Sequence, residues 1–184
     1  MNETKFRELL VYAARQSAGD PTFGATKLNK ILFYADFAAY WRLGSPITDA
    51  EYQHLQDGPA PRLLLPIRAG LIEDGSIRLD VQPYFNYRQE RIVALRPPDL
   101  TEFSADELAI VNETLEVLHG LGAADVTNMS HQEFGWKMTD DGETIPYFTA
   151  WISPEPPSAE QLQLGVEVAR RHGMDVTNGH TARA

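Results

Sequence analysis

Cysteine is missing from this chain altogether. Its absence excludes disulfides, thiolate metal sites and a cysteine nucleophile, and it suits a reducing compartment. Positive charge is scarce: 16 lysines and arginines stand against 26 aspartates and glutamates, for a formal net charge of -10. A surface with that balance repels phosphate backbones and anionic lipid, which makes nucleic acid a disfavoured partner. Long hydrophobic runs are also missing, and none approaches the roughly 18 residues of a membrane span. The opening Met1-Asn2-Glu3-Thr4-Lys5 lacks the basic and then apolar pattern of a signal peptide. No membrane partner and a cytoplasmic location are therefore expected. No Gly-rich phosphate loop, nucleophile elbow or paired-histidine zinc helix occurs, so the sequence signals no catalytic centre and no cofactor. Internal repeats and low-complexity tracts are absent as well.

What is present is enough apolar material to fold. Of 184 residues, 43% are hydrophobic and 23% charged, close to the globular average. A chain of this length buries a core without staples. Phe6, Leu9, Leu10, Ala13 and Ala14 recur at helical spacing before the turn signal Gly19-Asp20-Pro21. From Lys27 to Trp41, Leu28, Ile31, Leu32, Ala35 and Ala39 mark one face and Phe33, Phe37 and Tyr40 a second, the pattern of a buried helix. Glu51 to Leu55 reads as an extended piece, and Asp57-Gly58-Pro59 as a helix entry with Pro59 at the first helical position. The helix that follows carries Leu63, Leu64, Ile67 and Ala69, with Pro66 predicted to kink or shorten it and Gly70 to end it. Leu71-Ile72, the turn Asp74-Gly75 and the alternation Ile77, Leu79, Val81 then read as a hairpin, with a further strand from Arg91 to Leu95.

Capping boxes mark the C-terminal half. Ser104 with Glu107 opens a helix with Leu108, Val111, Leu115 and Leu118 on one face, stopped by Gly120. Ser130 with Glu133 predicts the start of a short helix bearing Phe134 and Trp136, and Asp141-Gly142 a turn. Pro154-Glu155-Pro156-Pro157 reads as a stiff spacer before a last helix capped by Ser158 and Gln161 and ended by Gly173. The expected fold is α+β and mainly helical: a compact multi-helix domain over residues 1–173, with a small antiparallel hairpin inserted after the third helix and residues 174–184 as a disordered tail.

Few residues suggest chemistry. His131 and Glu133 could form an acid–base or metal pair, but residues two apart on a helix point in different directions. Asp140-Asp141-Gly142-Glu143 lacks the alternating oxygen ligands of a calcium loop and reads as a turn. Arg78, Arg88, Arg91 and Arg96 gather positive charge around the hairpin, as a DNA-reading wing would, although Asp80 and Glu90 dilute it. Tyr84, Phe85 and Tyr87 beside Arg78, Arg88 and Arg91 are residue types that dominate protein–protein hot spots; core packing is the competing role for the aromatics.

Taken together, Thr26-Lys27-Leu28-Asn29-Lys30-Ile31-Leu32-Phe33-Tyr34-Ala35-Asp36, then Tyr52 and Asp57-Gly58-Pro59, resemble the opening motifs of the Panacea antitoxin domain, the SocA-like family. Downstream, Ser130-His131-Gln132-Glu133 leading to Trp136, and Gly142 to Ile145-Pro146, are similar to that family's C-terminal part. The resemblance covers about residues 5 to 152 and departs in Ala60-Pro61 after the Gly-Pro pair and in the extra Pro66. It implies a prokaryotic, phage-associated antitoxin that binds and neutralises a cognate toxin protein without turnover, some relatives acting instead as adaptors that deliver a partner to a protease. It nominates Lys27, Lys30, Asp36, Tyr52, Asp57, Gly58, Pro59, His131 and Trp136 as motif positions, for which holding the fold is the commoner role and contacting the partner the sharper one. A winged-helix-like DNA-binding regulator is the alternative from the arginines, and a hydrolase or metalloenzyme the alternative from His131 and Glu133.

Overall fold

Helix α1 (Glu3–Gln16) forms where the apolar period places it, started by Asn2, whose side-chain oxygen accepts the Lys5 N–H at 3.0 Å. Phe6, Leu9, Leu10 and Ala13 are fully buried on its inner face. The protein is described by a computed structural model covering residues 1–84, 87–152 and 159–171. The chain divides into two units, Met1–Ile152 and Ser153–Ala184.

Helix α2 (Ala25–Leu43) is the axis of the first unit. Because it is apolar on two faces, it can be enclosed by α1, by α4 (Ala105–Leu118), by α5 (Ala123–Gln132) and by a 3-10 turn at Tyr147–Trp151. Leu28, Ile31, Leu32, Phe33, Ala35, Phe37 and Ala39 are all buried. Gly44, at φ +80°, ends the helix, its N–H bonding the Tyr40 carbonyl at 3.0 Å.

Two short strands follow, β1 (Tyr52–Gln53) and β2 (Ala60–Pro61), paired antiparallel with Tyr52 opposite Pro61. Pro59 therefore does not start a helix. Lys30 holds the backbone on both sides of Gly58, which turns at φ +90°, and the chain leaves that turn extended. Helix α3 (Leu64–Glu73) begins later, so Pro66 lies in its first turn, where a missing N–H has no partner to lose, and the helix runs on past it. Gly70 does not end it: fully buried Leu71 extends the helix another turn, packing outweighing a propensity cost of about 1 kcal/mol.

Leu71 and Ile72 are accordingly helical, and the hairpin is made by β3 (Ile77–Tyr84) and β4 (Tyr87–Ala94), in register from Ile77 opposite Ala94 to Tyr84 opposite Tyr87. Ile77 and Ile92 are buried in the core, while Val81 is exposed toward the far end. The arrangement is α+β and mainly helical, with the hairpin following the third helix as expected.

The capping box at α4 is present, Ser104 Oγ accepting from Glu107 N at 3.1 Å and the Glu107 carboxylate from Ser104 N at 2.8 Å. The Ser130 box is not. Ser130 lies inside α5, an element the capping signal hid, and its hydroxyl donates to the Thr127 carbonyl at 2.8 Å. The start of α5 is Gly122, whose N–H meets the Asp125 carboxylate at 2.9 Å, and Glu133 marks the break to α6 (Phe134–Lys137).

In the second unit, α7 (Ala159–Arg171) carries an exposed Glu167–Arg171 pair one turn apart. The proline spacer, Ser158, Gly173, the domain boundary after residue 173 and the tail 174–184 lie outside the described residues, as does Phe85. No helix among the described residues is long and apolar enough to cross a membrane.

Candidate functional site

Lys27 and Lys30 sit one turn apart on α2, and both are buried at 1% exposure on the part of the helix that its neighbours cover. Each needs an internal partner. Lys27 Nζ donates to the Asp20 carboxylate at 2.7 Å and also to the Thr22 hydroxyl. Burial alone would raise the Asp20 carboxyl; the Lys27 ammonium and two donors from Thr22 reverse this and hold its pKa at about 2.

Among the described residues no carboxylate is in contact with Lys30. Its Nζ donates to the backbone carbonyls of Asp57 at 2.6 Å and Pro59 at 3.2 Å. Burial lowers its pKa to about 8, the Asp57 charge opposing. The loop it reaches is fastened from a second side by α5 and α6. His131 Nε2 lies 3.1 Å from the Gln56 carbonyl, Trp136 Nε1 donates to the Leu55 carbonyl at 3.3 Å, and Thr127 Oγ1 to the Asp57 carbonyl at 3.3 Å. A carbonyl can only accept, so His131 presents Nε2–H. The Trp136 ring is sandwiched between His131, at 3.9 Å and 17°, and His54, at 4.1 Å and 24°. His54 in turn touches Thr139 Oγ1 through Nδ1 at 3.2 Å.

Every backbone carbonyl from Leu55 to Pro59 except that of Gly58 is thus taken from within by a side chain. A Cβ on Gly58 would collide with Ser130 Oγ and stand 2.8 Å from Lys30 Nζ, so the glycine is needed for close approach as well as for its φ. Leu55, Gln56 and Asp57 remain exposed on the loop's outer side. The result is a short segment fastened by side chains, with Leu55, Gln56 and Asp57 exposed and Gly58 and Pro59 buried.

Asp36 makes a separate cluster. Wholly buried, its carboxyl accepts from Thr48 N and Tyr52 Oη, both at 2.8 Å, from the Thr48 hydroxyl, and from Tyr147 Oη at 3.4 Å. Burial raises its pKa despite these donors. The cluster ties α2 to β1 and to the 3-10 turn, with Asp36, Thr48 and Tyr52 shut off from solvent.

His131 and Glu133 diverge. While the His131 ring lies on Trp136, Glu133 faces Tyr34 across a groove of about 190 Å³ lined by Phe37, Ala38, Trp41 and Ala150. Burial raises the Glu133 carboxyl, with the nearby Tyr34 hydroxyl and the Lys137 ammonium opposing.

The hairpin arginines are largely engaged. Arg78 forks onto Asp80 at 2.8 and 3.0 Å, and Arg96 onto Glu8 at 2.6 and 2.7 Å. Arg91 donates to the carbonyls of Asp20, Ala18 and Ser17 at the end of α1, where a cation complements the helix dipole. Arg88 is exposed, and Tyr84 and Tyr87 are backbone register partners near the end of the hairpin. Asp20, Thr22, Thr48, His54, Thr127 and Tyr147 were not nominated as site residues from sequence; single acids, hydroxyls and rings carry no local signal of which residue, from 5 to 111 positions away, they will meet.

The lysine, the glycine turn and the histidine–tryptophan stack come together on one loop, although the sequence scatters them between positions 30 and 136. The model of the family "Antitoxin SocA-like, Panacea domain" matches residues 28–137, from the first residues of α2 to the end of α6. Comparison with curated proteins and with solved structures finds no match. A match over more than half of the chain, ending one residue past the tryptophan that closes the loop's fastening, assigns the family: this chain belongs to the Panacea-domain family of SocA-like antitoxins.

Proposed function

We propose that this protein is an antitoxin that neutralises one cognate toxin protein by direct, stoichiometric binding in the cytoplasm, without turnover. The observation that carries this is the family match over residues 28–137. Two features of the fold support it. The Leu55–Pro59 loop is preorganised, so little ordering entropy opposes its use as a contact surface. A formal net charge of -10 favours encounter with a basic partner. Under this reading Lys30, Gly58, Pro59, His131 and Trp136 shape the displayed loop, Asp57 stands on its outer face, and Lys27, Asp36 and Tyr52 hold the frame.

The test is co-expression. The gene next to that of the antitoxin is induced in a host cell with and without this chain, and growth is followed. Relief of growth arrest, with a 1:1 or other fixed-ratio complex on co-purification, is the expected result. A neighbour that is harmless alone, or whose toxicity this chain leaves unchanged, would overturn the proposal.

A further inference from the structure

Glu133 is the break between α5 and α6, and a residue there normally uses its side chain to cap the next helix. It does not: α6 has no side-chain cap. Instead it points into the groove over α2. Beside it, Tyr34 Oη is buried without a well-formed hydrogen bond among the described residues, the Glu133 carboxylate acting on it. Lys137, the nearest cation by its electrostatic effect, has its ammonium held by Gln132 Oε1 at 2.8 Å. The groove walls are apolar, and Trp41 stands on the rim 59% exposed. A half-buried carboxylate with only a phenol and an already engaged ammonium near it, and a buried hydroxyl with no well-formed hydrogen bond, are costly, and each such group calls for an explanation.

The geometry points to this groove as the seat of an arginine side chain from the protein partner, its guanidinium bridging Glu133 and Tyr34 and its stem lying against Phe37, Ala38 and Trp41. That the donor is a toxin rests on the antitoxin reading. At about 190 Å³ the groove is smaller than the roughly 300–1,000 Å³ of small-molecule sites and suits one long side chain. Arginine fits better than lysine: its flat fork offers several donors at fixed angles, enough to satisfy a carboxylate and a phenol together, and it stacks on aromatic faces. Tryptophan, tyrosine and arginine are also the residues over-represented at interface hot spots.

Nα-acetyl-L-arginine amide is titrated into the full chain, with the Trp41 indole and Tyr34 ring followed by NMR. The citrulline analogue, equal in shape but uncharged, serves as control. Saturable shifts at both rings are expected, weaker by roughly tenfold or more with citrulline, as for loss of a charge-assisted hydrogen bond. They should vanish in Glu133→Gln and weaken in Trp41→Ala, an exposed position that keeps the test decisive if Glu133→Gln alters the melting temperature. Absence of shifts, equal shifts with citrulline, or shifts surviving both substitutions would overturn the assignment. In the co-expression assay, Glu133→Gln should weaken the complex by roughly 30-fold or more, as for truncating one partner of a buried interfacial pair. If wild type and Glu133→Gln protect equally, the groove is overturned and the antitoxin reading stands. If neither protects, the antitoxin reading falls and the arginine titration alone decides the groove.

Discussion

Lys30 Nζ lies directly behind Gly58: it donates to the carbonyl before the glycine at 2.6 Å and to the one after it at 3.2 Å, and a Cβ on the glycine would stand 2.8 Å from it. One buried ammonium therefore holds a displayed turn closed, and the turn has room for it only because the side chain at its apex is a hydrogen.

Gly58→Ala should be among the more damaging single substitutions. The left-handed φ alone costs a non-glycine residue about 1–2 kcal/mol, and the collision with Ser130 and Lys30 adds to it, giving roughly 2–4 kcal/mol in all. Gly120→Ala, at φ +76° with open space around it, should show only the first part. Urea denaturation of the two variants separates the terms; equal losses would show that the close approach to Ser130 and Lys30 is relaxed at no cost.

The Lys30 amine gives a stability that depends on pH in the alkaline range. Its pKa in the fold is about 8, below that of an unfolded lysine, so between about 8 and 10.4 the unfolded chain binds more protons. Stability from this group must then rise with pH across that window, by up to about 1.4 kcal/mol per pH unit. Lys30→Met leaves two carbonyls unpaired and should be less stable than wild type by roughly 1–3 kcal/mol at neutral pH. The gap should widen from pH 8 to 10, and chemical denaturation at both values reads it.

Asp20 and Lys27, 3% and 1% exposed, form a buried ion pair. Asp20→Asn strands the ammonium and should cost about 3–5 kcal/mol. The Asp20 pKa lies below that of an unfolded aspartate, so its contribution is complete above about pH 4 and is lost as pH falls through about 2. Wild type should lose stability over that acid interval, and Asp20→Asn should lack that part of the loss. Thermal melts from pH 5 to 2 test the difference.

His131→Ala should loosen one loop without unfolding the domain. It removes the donor to the Gln56 carbonyl and one face of the sandwich around Trp136, at a cost of about 1–2 kcal/mol. Amide exchange should speed up at Gly58, whose N–H bonds the Leu55 carbonyl at 2.8 Å, while exchange in α1 and α2 keeps to the small global change. Uniform acceleration across the chain would show that His131 supports the whole fold and not this loop.

The amino-acid order by itself determined the elements whose signals are local. The apolar periods of α1 and α2, the Ser104–Glu107 cap of α4 and the turn at Gly142 are each written in a few neighbouring residues, and each is found in the fold. The family motif, read residue by residue, marked Lys30, Gly58, His131 and Trp136 before their meeting place was known. Where the local signal misled, a distant contact had overridden it: Leu71 in the core carries α3 through Gly70, and Lys30 turns the chain at Gly58 away from a helix start at Pro59. Tertiary structure alone decided that two lysines of this helix are buried with its apolar faces, that Asp20 and the Asp57 and Pro59 carbonyls receive them, and that Glu133 faces Tyr34 and not His131. The reason is physical: a buried charge or carbonyl is satisfied by whatever donor the packed chain brings within about 3 Å, and that neighbour is set by the folding of residues far away in sequence.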